Sequence, residues 1–230
     1  MTMKKFFTIL ALAGAITSSG HAQMLITGII DGPRTGGLPK AVELFVTADI
    51  ADLSFWDIVS YANGATTPSA PIILSGSAVA GDYIYVVNEA PSFAAYFGFN
   101  SDFTGNAMNV NGDDTVALRF NANNVDVFGV VGEDGTGTAW EYLDTWFYRN
   151  NGTAATTSWS SSDWIFAGAG INALDVLGAA GTNPPVTGNP NSALHMPVGT
   201  FDPVPEPSTY AMLALAGAGF AGYVIRRRRR

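Results

Sequence analysis

Thr115-Val116-Ala117-Leu118-Arg119-Phe120, then Asn121-Ala122-Asn123-Asn124, then Val125-Asp126-Val127-Phe128-Gly129-Val130: two alternating runs around an Asn-rich turn decide the fold class. Successive side chains of an extended strand point to opposite faces. Val116, Leu118 and Phe120 therefore share one face and Arg119 takes the other. Asn tolerates the left-handed backbone of tight turns, and its amide bonds to the nearby main chain. The pattern predicts an antiparallel hairpin.

The same period of two continues outward in both directions. Met24 to Ile30 reads as a strand ended by Asp31-Gly32-Pro33, and Lys40 to Val46 as the next. In the latter Val42, Leu44 and Val46 face a core and Glu43 faces out. Leu53 to Tyr61, closed by Asn63-Gly64, the short Ile72-Ile73-Leu74, and Asp82 to Asn88 extend the series. Pro91 to Phe97 predicts one or two helical turns, with Ser92 near their start. Trp140 to Tyr148 reads as a mixed aromatic strand, Thr153 to Ser162 as an exposed polar loop, and Asp163 to Phe166 as a last short strand. Seven to nine short strands without a strand–helix–strand rhythm predict an all-β, antiparallel β-sandwich, with a jelly roll as the alternative.

The two ends of the chain read differently. Lys4 and Lys5 precede the apolar run Phe6 to Ile16, and Gly20-His21-Ala22 offers small residues to a signal peptidase. Residues 1–22 are expected to be a secretory leader cleaved between Ala22 and Gln23. At the other end Pro205-Glu206-Pro207 precedes an uncharged run, Thr209 to Ile225, and then Arg226, Arg227, Arg228, Arg229 and Arg230. As a helix the run would span roughly 26 Å, enough for a bilayer core. The arginines would stay cytoplasmic as a membrane stop. Between the two signals, 23–180 is expected to form the ectodomain. Residues 181–203, rich in Pro, Gly and Asn, read as a linker lifting it off the membrane.

Residues 23–203 hold four basic residues, Arg34, Lys40, Arg119 and Arg149, against eighteen acids, a net charge of −14 where the whole chain has −8. Such a surface is wrong for nucleic acid and for anionic lipid. With no cysteine, disulfides, thiolate metal sites and Cys nucleophiles are excluded.

Pro205-Glu206-Pro207, the apolar run and the arginines together resemble the PEP-CTERM sorting signal of Gram-negative bacteria. The resemblance implies recognition of Pro205, Glu206 and Pro207 by an exosortase, a membrane protease-transpeptidase that processes the tail. It also implies a link to exopolysaccharide and biofilm. A second resemblance lies in Leu25-Ile26-Thr27-Gly28, Lys40-Ala41-Val42-Glu43-Leu44-Phe45, Asp82 to Val87 and Asn111-Gly112-Asp113-Asp114-Thr115-Val116-Ala117-Leu118. These are similar to segments of bacterial lamin-tail-like domains, which implies an immunoglobulin-like sandwich and transfers no catalytic role.

Candidate chemistry is sparse. The one histidine of the mature chain, His195, lies in the Pro/Gly-rich stretch, a poor place for the oriented imidazole of a Ser-His-Asp triad. Glu43, Glu89, Glu133 and Glu141 are the carboxylates from which a glycosidase pair would come. Asp113 and Asp114, in an acidic Gly-containing turn, offer oxygens to calcium as a cofactor; turn hydrogen bonding is the alternative. Trp159, in the polar loop, is the candidate for glycan contact, while most aromatics belong in a core. No Walker loop, dinucleotide fingerprint or basic stripe is present.

The expectation is a non-enzymatic, exported surface or matrix protein with a structural or adhesive role in exopolysaccharide. It would pass through an inner-membrane intermediate, with signal peptidase, exosortase and the membrane as partners. A glycan-binding module, with or without calcium, is the alternative, followed by a secreted hydrolase.

Overall fold

The computed structural model describes residues 22–167, 172–174, 182–183 and 194–203. The expected leader before Ala22 and the expected membrane helix 209–225 lie outside them. No helix among the described residues is long and apolar enough to cross a membrane.

The strands are β1 (Met24–Arg34), β2 (Leu38–Val46), β3 (Trp56–Tyr61), β4 (Ile72–Ile73), β5 (Tyr83–Val87), β6 (Phe103–Thr104), β7 (Thr115–Phe120), β8 (Asn123–Phe128), β9 (Trp146–Arg149) and β10 (Trp164–Phe166), and α1 (Ala90–Phe97) is the α-helix among them. One sheet runs β10-β9-β1-β2-β5-β6 and the other β4-β3-β7-β8. The β7–β8 hairpin forms as the alternation predicts, Val116 opposite Phe128 and Phe120 opposite Asn123. Asn121 and Ala122 take the left-handed conformation at its tip.

The sheets are joined through their facing apolar sides. Ile26, Ile29, Val42 and Leu44 of one meet Ile58, Val116, Leu118 and Phe128 of the other, all excluded from solvent. A bulge in β1 between Ile26 and Gly28 lets residues of opposite parity, Ile26 and Ile29, reach this same core.

The far side of the six-stranded sheet is also covered. Leu25, Ile30, Phe45 and Val87 there pack against Phe93 and Tyr96 of α1 and against Met196 and Phe201. This corrects the expectation for Glu43. It does lie on the face opposite Val42 and Leu44, but a second layer lies over that face, and Glu43 is only 1% exposed.

Other expectations need adjusting. The sandwich is not wholly antiparallel, because β6 pairs parallel to β5. β1 continues through Asp31-Gly32-Pro33 to Arg34 by means of a register shift. Of the stretch 140–148 only its end is strand; Trp140 in a turn and Tyr142 in irregular chain fill the core. The helix does form with Ser92 in its first turn; its N-cap is Glu89, whose Oε1 accepts the Ser92 N–H at 3.1 Å, and Gly98 ends it in the left-handed conformation. The 153–162 loop folds back onto β8, where Val127 N–H donates to Thr156 O at 2.9 Å.

The strand directions define two poles. Met24 opposite Val46 and Phe45 opposite Tyr83 mark one, and Arg34 opposite Leu38 marks the other. Ala22 and Gln23 enter at the first pole, beside Thr47 and Asp49. Phe201, against Phe45, leaves at the same pole.

The docked C-terminal segment as candidate functional site

The segment 194–203 is where the structure departs furthest from expectation. Its sequence, Leu194-His195-Met196-Pro197-Val198-Gly199-Thr200-Phe201-Asp202-Pro203, carries apolar side chains between its breakers. Met196 and Phe201 are buried and Val198 is partly so. Gly28 makes room for Met196, because a Cβ at position 28 would lie 2.6 Å from the Met196 methyl. In residues 194–203 the chain is therefore part of the domain and not a spacer.

Polar bonds fix its path from one end to the other. Trp146 Nε1 donates to Leu194 O at 2.8 Å. Asn183 brackets Met196, accepting its N–H at 2.9 Å and donating to its carbonyl at 3.0 Å. Gly199 N–H donates to Glu43 Oε2 at 2.7 Å. Tyr148 donates its hydroxyl to Glu43 Oε1 at 2.7 Å and accepts the N–H groups of Thr200 and Phe201, each at 3.1 Å. Tyr83 donates to Phe201 O at 2.8 Å. Asp202 closes the set, its N–H going to Asn151 Oδ1 at 3.0 Å and its carbonyl accepting Gly152 N–H at 2.8 Å.

Glu43 is the hub. Thr27 is its third donor, at 2.7 Å. Burial pushes the Glu43 carboxyl above the usual carboxylate range, against the pull of these donors. Burial likewise raises Tyr148, and Tyr83 is pushed up to about 12, so both phenols remain proton donors at neutral pH. The cluster lies beneath the docked segment, and its chemistry there is retention.

The other candidates separate. Ala22 O accepts the Thr47 hydroxyl at 3.0 Å, and the Gln23 amide donates to Asp49 O at 3.1 Å. Asp114 accepts the N–H groups of Asn63 and Asn111 at 2.9 and 3.1 Å, the turn role posed as the alternative to calcium. Among the described residues no group of three or more His, Cys, Asp or Glu could hold a metal. Trp159 is half-buried, stacked on Trp164 at 6.1 Å and edge-on to Phe128 at 5.1 Å. Glu89 caps α1, and Glu141 accepts Gly137 N–H at 2.7 Å. His195 is placed in the docked segment, between Leu194 and Met196. At the pole opposite the chain ends an open cleft of about 550 Å³ is lined by Asp31, Arg34, Lys40, Asn111 and Asp144 among others.

Asp31 beneath that cleft gives a pH prediction. It bonds Lys40 Nζ at 2.7 Å, yet burial outweighs the ammonium and holds its carboxyl at about 6. A carboxyl raised on folding favours the native state while protonated. The contribution is full below about pH 4 and is lost as pH rises through about 6. Glu43 acts in the same direction. The melting temperature is expected to be several degrees higher at pH 5 than at pH 7.5, on the order of 1–3 kcal/mol, read by scanning fluorimetry.

Comparison with known families matches residues 203–230 to the PEP-CTERM protein-sorting motif. The match starts one residue after Asp202, which is bonded to Asn151 and Gly152, and takes in Pro205, Glu206, Pro207 and Arg226 to Arg230, all outside the described residues. No curated protein and no solved structure matches the chain, and the lamin-tail-like resemblance gains no support from them. The chain carries an exosortase sorting signal, which implies export and placement at the cell surface or outside the cell.

Tyr83, Tyr148, Asn151 and Asn183 were not legible as functional residues. The available signal was the apolar spacing of Met196, Val198 and Phe201, which a passive linker would not need.

Proposed function

We propose that this chain is a non-enzymatic structural or adhesive protein that exosortase delivers to the exopolysaccharide or biofilm matrix of a Gram-negative bacterium. Its cargo is an immunoglobulin-like sandwich that passes through an inner-membrane intermediate. The observation that carries this reading is the sorting motif at 203–230, joined directly to a folded domain. The strongly acidic, cysteine-free composition suits a soluble extracellular cargo. The bonds that Glu43, Glu89 and Glu141 make to hold their own surroundings weigh against a hydrolase built on them.

The test is cell fractionation with mass spectrometry of the mature C-terminus. Wild-type protein is expected at the surface or in the medium with its tail removed. Glu206→Gln, or deletion of Arg226 to Arg230, is expected to leave most of it in the membrane fraction with the tail intact. Normal delivery of both variants would reduce the tail to a plain anchor and remove the sorting reading.

A further inference from the structure

The docked segment ends where the sorting motif begins. Asp202 is bonded to Asn151 and Gly152, and only Pro203 and Val204 separate it from Pro205. Three residues span at most about 10 Å, so while Asp202 is docked Pro205 stays within roughly that distance of its anchor, whatever the path between. The anchor lies at the surface of the same pole as Phe45, Tyr83 and the entering Gln23, with Asp202 and Asn151 both exposed, so the folded domain stands directly beside it on one side.

A protease that reads a peptide motif needs main chain on both sides of it. Upstream of Pro205 the docked state offers two residues. With 197–202 released and Met196 still held by Asn183, it offers eight, and Pro205 reaches roughly 30 Å from Met196. The contacts to be broken are few and local. They are the bonds of Gly199, Thr200 and Phe201 to Glu43, Tyr148 and Tyr83, the two of Asp202, the burial of the Phe201 ring and the partial burial of Val198. Segments held by so few contacts open far more often than the whole fold.

We propose that the docked 197–202 segment restrains the sorting motif, so that exosortase processes the tail only after this segment leaves the sheet. This rests on the sorting reading above. Docking then makes processing a slow step set by Glu43, Tyr148 and Tyr83, side chains that lie far from the motif in sequence.

The absence of cysteine allows a direct test in the full-length chain, expressed in cells that contain the exosortase. A cysteine pair, Asn151→Cys with Asp202→Cys, would lock the segment down through one unambiguous disulfide, confirmed by mass. Tail removal is followed after a pulse of synthesis. The locked chain is expected to lose its tail at least tenfold more slowly, and dithiothreitol in the medium to restore the rate. A ten-residue Gly/Ser insertion between Asp202 and Pro203 should restore the rate even in the locked chain, and should speed removal severalfold in the otherwise wild-type chain. An equal rate for locked and wild-type chains, or no acceleration by the insertion alone, overturns the restraint while the sorting reading stands. A wild-type chain that keeps its tail overturns both.

Discussion

Asp126→Ala is expected to destabilise the domain by about 3–5 kcal/mol, a large part of the stability of a single domain. Asp126 and Arg149 form an ion pair at 2.7 Å with both side chains fully excluded from solvent. Asp126 belongs to β8 in one sheet and Arg149 to β9 in the other. The carboxylate also accepts the N–H groups of Ile26 at 2.7 Å and Thr156 at 2.8 Å. The guanidinium donates to the carbonyls of Ile26 and Ala154 and lies 4.4 Å from the Trp164 ring centroid. One pair thus ties together both sheets, the β1 bulge and the 150–160 loop.

Removing the carboxylate strands a buried cation and two N–H groups, and that penalty exceeds the net worth of the pair itself. The double change Asp126→Leu with Arg149→Met should therefore recover much of the loss. Urea titration of the three variants checks both statements. A loss under about 1 kcal/mol for Asp126→Ala would show that the guanidinium finds water in the variant.

Glu43→Ala is expected to have an effect of similar size but different form. It leaves the buried Thr27 and Tyr148 hydroxyls without their acceptor, at about 1–3 kcal/mol each, and also unpairs the more exposed Gly199 N–H, for a total of about 3–5 after relaxation. Gly199 and Tyr148 hold the C-terminal segment, so part of the loss should appear as local opening. Chymotrypsin is expected to cut after Phe201 in the variant under conditions where the wild-type chain resists. Unchanged resistance together with a lower melting temperature would place Glu43 in general stability and not in retention of the segment.

The all-β class was legible because the sandwich is built from alternating runs such as 115–120, whose faces follow from the period alone. Which outer faces stay dry is not local information. Glu43 reads as solvent-facing until α1 and the residues around Met196 and Phe201, roughly 50 and 150 positions away, are laid over it. The parallel β6 and the β1 bulge were hidden for a different reason, since both depend on the register against a neighbouring strand, Ile26 and Gly28 on Leu44 and Glu43, and Phe103 on Val86, which alternation alone does not fix. The sorting tail was legible because its signal is contiguous and compositional. The segment before it was misread because Pro and Gly dominate its appearance, while two or three apolar side chains decide where it lies.

The course of the C-terminal segment along the sheet also sets how the domain bears mechanical load. It runs from Leu194, bonded to Trp146 at the level of Ile30, to Asp202 beside Asn151 at the pole where the chain leaves. A pull entering at Pro203 while the rest of the domain is dragged away acts along the segment, in shear. The contacts from Trp146 to Asn151 then share the force together instead of peeling apart in turn. A cargo tethered through this end in flowing water would resist tearing better than its few hydrogen bonds, taken singly, would indicate.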